Sequence, residues 1–170
     1  IAPPPGWSSL NDYLRDLGMA LDEIHGPLTH PVGQSLRHGS QTMRGLQDYS
    51  HPAIRALFSA IDAPIRAHIA AIDDAGQDYG FGGAWSVRLN SGGFHTNHIH
   101  PEGWLSSAFY VRVPENMKDQ QGWLKFGEPG PPTSPPLGPD LAPRLRGNRP
   151  GSTCSGICGI TILSFAPSPP

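Results

Sequence analysis

Residues 95–100 carry the side chains whose types and spacing best suit metal chemistry. Three of the eight histidines, His95, His98 and His100, lie within these six residues. Successive side chains of a strand point to opposite faces, so on a strand His98 and His100 share one face while Ile99 points away. Two imidazoles on one face can bind one metal ion. His95 is an odd number of residues from His98, so it is expected on the other face and outside the ligand set.

A second strand is predicted immediately after the histidines. The run from Leu105 to Val113 is rich in aromatic and β-branched residues, and Pro101-Glu102-Gly103 is typical of a turn. Pairing of this strand with the histidine strand would hold the imidazoles rigidly. Histidines spaced in this way also occur on ordinary strand surfaces, so the spacing alone leaves that second interpretation open.

The bulk composition indicates one loop-rich domain. The chain has 170 residues, of which 37% are apolar, and its 21 Gly and 20 Pro make up nearly a quarter of the total. A net charge of −2 offers no basic surface for nucleic acid. No run approaches the about 20 apolar residues that span a bilayer, so we expect a cytoplasmic protein without a membrane partner. Cys154 and Cys158 form a poor zinc motif.

Two amphipathic helices are predicted to position the strands. The first covers about residues 8–25, with Ser8 or Ser9 as its N-cap, and the second covers about 52–73 after the capping residue Ser50. Pro64 is expected to kink the second helix. The histidines near these helices are expected to be surface or structural residues rather than ligands. They are His25, His30, His38 and His68.

Strands are expected from about residue 84, where apolar and polar residues begin to alternate, and a turn is expected at residues 90–93. Helices followed by short strands indicate an α+β, mainly β architecture, with helices packed outside a β-sandwich or jelly roll. The predicted domain covers residues 1–128. Residues 129–170 are too rich in Pro and Gly to build a core, and we expect them to form a disordered tail.

The stretch from Trp85 to Val111 resembles a family of bacterial iron(II)- and 2-oxoglutarate-dependent oxygenases. The residues that carry the resemblance include Gly92-Gly93-Phe94-His95, Asn97-His98-Ile99-His100-Pro101 and Ser106 to Val111. Upstream, residues 30–42 resemble the entry segment of the same family. The similar proteins form an H-x-H-P branch that is often linked to tetratricopeptide repeats, and the resemblance covers about residues 20–140.

The resemblance implies a double-stranded β-helix, a cupin-like jelly roll, with Fe(II) near one mouth and 2-oxoglutarate as cosubstrate. His98 matches the first metal ligand, and His100 stands where most of the superfamily has Asp. Glu102 is an alternative source of a carboxylate ligand. Tyr110 is a candidate hydroxyl donor to the oxoglutarate carboxylate, and packing within the sheet is the alternative role for this tyrosine.

The chain departs from the family pattern downstream. The family has a later histidine ligand and an arginine that binds the distal carboxylate of oxoglutarate, but no histidine follows His100. Arg144, Arg146 and Arg149 lie in the Pro-rich segment without strand context. One hypothesis is that the C-terminal strands are missing because the tail is translated out of frame. In that case the metal affinity and the turnover of this chain should both be low.

Three functions remain open from the sequence. The leading one is a dioxygenase that hydroxylates an unidentified small molecule or peptide. The second is a non-catalytic, cupin-like metal-binding module, for which zinc or nickel would suit the imidazoles as well as iron. The third is a structural β-sandwich with surface histidines. A tetratricopeptide or oligomeric partner is compatible with each, and the sequence does not identify it.

Overall fold

The computed structural model describes residues 1–26, 34–72, 78–98, 100, 103, 105–115 and 158–167, the last by backbone alone. The elements in chain order are α1 (Leu10–Ile24), β1 (Leu36–Gln41), a short 3-10 helix (Leu46–Asp48), α2 (Pro52–Ile72), β2 (Tyr79–His95), β3 (Leu105–Arg112) and β4 (Cys158–Pro167). The predicted α+β class is therefore confirmed. Within the described residues, neither helix has the length and apolar character needed to cross a bilayer.

Helix α1 begins where the sequence predicts it. The hydroxyl of Ser9 accepts a hydrogen bond from the backbone N–H of Asp12 at 3.1 Å, which satisfies one of the free donors of the first turn. The inner face of α1 is apolar, and Tyr13 and Leu17 are completely buried. The Tyr13 hydroxyl donates to the carbonyl oxygen of Ala53 at 3.1 Å. This bond joins α1 to the start of α2.

Helix α2 begins at Pro52 as predicted, but its capping residue differs. The imidazole Nδ1 of His51, rather than Ser50, accepts the backbone N–H of Ala53 at 3.2 Å. The helix continues through Pro64 to Ile72. Its buried stripe packs with α1 against one face of the sheet. The buried apolar residues of this stripe are Ala53, Ile54, Leu57, Ile61, Ile65 and Ile69.

The four described strands form one antiparallel sheet in the order β1-β2-β4-β3. The expected pairing of the histidine strand with Leu105–Arg112 is wrong, because β4 lies between β2 and β3.

The expectation of a disordered tail is also wrong for Cys158–Pro167, whose backbone pairs along both neighbours. Backbone groups of a central strand are satisfied on both edges, which gives even this Gly- and Pro-flanked segment a stable position. The proposed boundary at residues 128 and 129 stays a prediction.

The two faces of the sheet differ in what covers them. One face, which includes Ala84 and Val111, packs against α1 and α2. The other carries a separate small cluster, in which Leu36, Val87 and Leu89 are buried and Ala108 and Tyr110 pack against them. We call this the open face. A second sheet facing it, as a jelly roll requires, is not among the described residues, so the double-stranded β-helix stays a prediction.

The turn expected at residues 90–93 is instead a wide bulge within β2. Between the paired residues Leu89 and Phe94, four residues of β2 lie opposite the single residue His38 of β1. Gly92 has φ +75°, which glycine adopts without strain, and a Cβ at Gly93 would collide with the carbonyl oxygen of His38. The bulge lets β2 pair with β1 again and end at His95.

His25, expected at the surface, is half-buried at the end of α1. Its Nδ1 lies 2.9 Å from the hydroxyl oxygen of Ser40 on β1, and its Nε2 lies 2.9 Å from that of Ser86 on β2. Burial, with a smaller contribution from the charge of Arg88, lowers the pKa of His25 to about 4, while the charge of Asp22 opposes the shift. His25 therefore connects α1 to two strands as a neutral ring.

The remaining histidines outside residues 95–100 can be compared with the expectations in the same way. His38 is exposed, as expected, and adopts a positive φ of 51° opposite the bulge. His68, expected to be a structural residue, is exposed on α2. His30 lies outside the described residues.

Candidate functional site

The segment that carries His98 and His100 leaves the sheet, so its side chains do not follow the alternation of a strand. β2 ends at His95, and the backbone N–H of Thr96 then donates to the carbonyl oxygen of Ser35 at 2.9 Å. Further on, the N–H of Gly103 donates to the carbonyl oxygen of His100 at 3.0 Å. The central residues of the predicted turn, Pro101 and Glu102, lie outside the described residues. The prediction that His98 and His100 lie on a strand is therefore wrong.

The two imidazoles nevertheless meet. The ring centroids of His98 and His100 are 5.0 Å apart, with the ring planes at 69°. Two imidazoles that bind one ion through nitrogen at about 2.1 Å have ring centroids roughly 5 Å apart. The His98 ring is exposed and the His100 ring is half-buried. An ion could therefore reach this pair from solvent.

The backbone determines which nitrogen of His98 is free to bind. Its Nδ1 lies 2.8 Å from the carbonyl oxygen of Thr96. A carbonyl oxygen only accepts hydrogen bonds, so Nδ1 carries the hydrogen and Nε2 of the neutral ring holds the lone pair. Metal-binding histidines commonly have this arrangement, in which a backbone carbonyl orients the ring.

His100 is oriented by Trp85 on β2. The two rings are stacked, with centroids 5.8 Å apart and planes at 26°. The indole lies over Gly83, where a Cβ would collide with the ring, so the absence of a side chain there makes room for Trp85. Burial, followed by the charge of His98, lowers the pKa of His100. Both effects favour the neutral ring, which is the form that binds a metal.

His95 lies beside His98, contrary to the prediction that it points away. The ring centroids of His95 and His98 are 5.5 Å apart. Nδ1 of His95 is 2.9 Å from the hydroxyl oxygen of Ser35, while Nε2 is buried and has no hydrogen-bond partner among the described residues. Burial, with smaller contributions from His98 and His100, lowers the pKa of His95 to about 4. The sequence-based prediction failed because alternation applies only while the strand continues.

Tyr110 lies on the open face and is half-buried against Leu36, Val87 and Leu89. This agrees with the packing role that the sequence left open for it. Its role toward oxoglutarate stays a prediction. Trp85 and Ser35 were not among the predicted site residues. Trp85 could have been predicted to share a strand face with Val87 and Leu89, because the three residues are two positions apart. Nothing in the sequence links Ser35 to His95.

The structure does not contain a complete ligand set in its described part. Among the residues it describes, no group of three or more His, Cys, Asp or Glu side chains is arranged to hold a metal ion. Several candidates lie outside the described residues or have no described side chain. They are Glu102, Arg144, Arg146, Arg149, Cys154 and Cys158. The donors that are described are imidazole nitrogens, which suit Fe(II), Zn(II) or Ni(II).

Comparison with protein families gives one match. The model of the family described as "Putative 2OG-Fe(II) oxygenase" matches residues 83–137, about a third of the chain. The matched segment begins at Gly83 beneath Trp85, contains all three clustered histidines and extends past β3. Comparison with the curated proteins and with the solved structures gives no match.

Proposed function

We propose that this protein is an Fe(II)- and 2-oxoglutarate-dependent dioxygenase that hydroxylates an unidentified substrate, with His98 and His100 as metal ligands. The observation that carries the proposal is the pair of imidazoles whose ring centroids lie 5.0 Å apart within the segment that matches the oxygenase family. Bound iron would supply the activation of O2: one oxygen atom would enter succinate as oxoglutarate loses CO2, and the other would enter the hydroxyl group formed from a substrate C–H bond.

The residues around the imidazoles would bind and orient the reactants. Trp85 holds the His100 ring by stacking, and the carbonyl of Thr96 keeps Nε2 of His98 available for the ion. Tyr110 lies on the face of the sheet that also carries Val87 and Leu89. There its hydroxyl would donate a hydrogen bond to the oxoglutarate carboxylate. The apolar residues of this cluster would exclude water from the reacting atoms.

The position of His95 at the end of β2 is compatible with a jelly roll. His95 pairs with Leu36 in the β1–β2 register, and Leu36 belongs to the cluster on the open face. Directly paired residues of an antiparallel sheet have side chains on the same face. The histidine cluster would therefore lie on the face away from the helices, which is the interior face of a double-stranded β-helix with outer helices.

Fe(II)-dependent succinate formation from oxoglutarate tests the proposal. We expect turnover in the wild-type chain and a loss of at least about 100-fold in His98→Ala and His100→Ala, since each removes a metal ligand. His68→Ala is the matched control, because His68 is exposed on α2 and should leave turnover unchanged. Absence of oxoglutarate consumption in the wild-type chain, at saturating Fe(II), would contradict the proposal.

A non-catalytic metal-binding module is the second candidate. It is favoured by the donor types of the described pair, which consists of two imidazoles. Zn(II) or Ni(II) would then occupy the His98 and His100 pair as readily as Fe(II). Stoichiometric metal binding that depends on both histidines, without any succinate, would favour this candidate over the dioxygenase.

A further inference from the structure

The imidazole Nε2 of His95 is a buried donor or acceptor without a described partner. Its solvent-accessible surface is negligible, although the other ring nitrogen lies 2.9 Å from the Ser35 hydroxyl. Buried polar atoms in folded proteins are nearly always hydrogen-bonded, and an exception calls for a specific explanation such as an absent ion. An unpaired Nε2 on a neutral imidazole is also the atom through which histidine commonly binds metals.

The distances between the ring centroids indicate that Nε2 of His95 would bind the same ion as His98 and His100. His95 and His98 have centroids 5.5 Å apart, and His98 and His100 have centroids 5.0 Å apart. Both separations are close to the roughly 5 Å of two imidazoles on a shared ion. His98 is the middle ring, 5.5 Å from His95 and 5.0 Å from His100, so it is the ring through which the three could share one ion.

We propose that His95 is the third protein ligand of the metal centre, joining His98 and His100 in a three-histidine set. The inference rests on the proposed function and deepens it, since that function lacks a third ligand. Three imidazoles would leave the remaining positions of an ion such as Fe(II) open for oxoglutarate and O2. No carboxylate from the protein is then needed.

The three rings do not form a complete site before the ion enters. In the described part of the chain, no three His, Cys, Asp or Glu side chains are already arranged to hold a metal ion. At least one of the three imidazole rings must therefore move when the ion binds. His95 is the last residue of β2 and is held by Ser35, whereas His98 and His100 lie on the irregular segment beyond the strand. The ion would therefore bring His98 and His100 toward a fixed His95.

Ser35 acts as a positioning residue in this proposal. When Nδ1 of His95 carries the hydrogen, the Ser35 hydroxyl oxygen accepts it and Nε2 presents its lone pair to the ion. Hydrogen-bond partners behind a ligand typically contribute about 10–100-fold to metal affinity. We expect Ser35→Ala to weaken Zn(II) binding by about 10-fold, and His95→Ala to weaken it by more than about 100-fold.

The direct test uses Zn(II), which is diamagnetic, with the full chain carrying 15N-labelled histidine. Imidazole nitrogen shifts report each ring separately as the ion is added. We expect the Nε2 resonances of His95, His98 and His100 to move together and to stop moving at one ion per chain, while His68 stays unchanged. Because this experiment uses the wild-type chain, it remains decisive even if His95→Ala does not fold.

The other outcomes separate this inference from the proposed function. If the His98 and His100 resonances respond and that of His95 does not, the three-histidine set is wrong, while a metal site with a different third ligand, such as Glu102, remains. If no histidine responds to Zn(II) or to Fe(II), both the inference and the proposed function are overturned.

Discussion

At the scale of single residues, the candidate site consists of imidazoles that neighbouring groups orient. The carbonyl of Thr96 orients His98, Ser35 orients His95 and Trp85 stacks on His100. Metal binding releases the proton of a charged ligand, so rings kept neutral by burial bind metal without that cost at neutral pH. The residues around the histidines therefore support the proposed metal binding as much as the spacing of the histidines does.

Tyr110 provides a prediction at this scale. Tyr110→Phe removes the hydroxyl and keeps the ring that packs against Val87 and Leu89. A hydrogen bond to a charged group contributes about 1.5–3 kcal/mol, so we expect the KM for oxoglutarate to rise by at least about 10-fold. Metal affinity should not change. An unchanged KM would assign Tyr110 to packing alone.

The H-x-H spacing was sufficient to identify His98 and His100 as candidates, but it could not locate His95. The spacing of two residues keeps His98 and His100 near each other on a strand or in a turn. The exclusion of His95 required the strand to continue past residue 95, and it ends there. The end of β2 depends on its pairing with residues about 60 positions away, which a local pattern does not contain.

At the scale of elements, His25 joins the end of α1 to β1 and β2. Its two ring nitrogens contact the hydroxyls of Ser40 and Ser86, both of which are buried. The helix boundary itself was predictable, because Ser9 is a typical N-cap and the apolar stripe ends before Gly26. The buried position of His25 was not predictable, since Ser40 and Ser86 reach it from distant parts of the chain.

The burial of His25 predicts a pH dependence of stability. Its pKa is about 4 in the folded chain and about 6.5 when unfolded. The unfolded chain therefore takes up a proton as pH falls below 6.5, so the free energy of unfolding decreases between pH 6.5 and 4.

His25→Gln should show a smaller loss of stability over this interval in urea titrations. His95 has a lowered pKa of the same sign, so a residual slope is expected. The carboxylates with lowered pKa, Asp12 and Asp62, titrate below this window. Equal slopes for the wild-type chain and His25→Gln would show that His25 is not buried as described.

At the scale of the whole molecule, a C-terminal strand occupies the centre of the sheet. β4 pairs with β2 from Tyr79 to Leu89 and with β3 from Leu105 to Arg112. The helices and β3 could be predicted from apolar periodicity. The place of β4 could not, because strand order depends on contacts between positions about 80 residues apart. The short apolar run of β4 is also flanked by Gly, Pro and Ser residues, which do not favour a strand.

Truncation tests the central role of β4. A chain that ends at residue 157 loses the strand that joins β2 to β3, and the exposed edges should cause aggregation or unfolding. A chain that ends at residue 167 retains β4 and is the matched control. Urea unfolding and gel filtration would compare the two. If the shorter chain is as stable and monodisperse as the control, the sheet order described here is wrong.

The central claim is that the histidine cluster holds Fe(II) together with 2-oxoglutarate, and anaerobic titration tests it most directly. Chelation of oxoglutarate by Fe(II) in a protein site produces a visible charge-transfer absorption without any turnover. We predict that this absorption develops in the wild-type chain up to one Fe(II) per chain, persists in His68→Ala and is absent in His98→Ala. A wild-type chain that gives only the spectrum of free Fe(II) and oxoglutarate would contradict the claim.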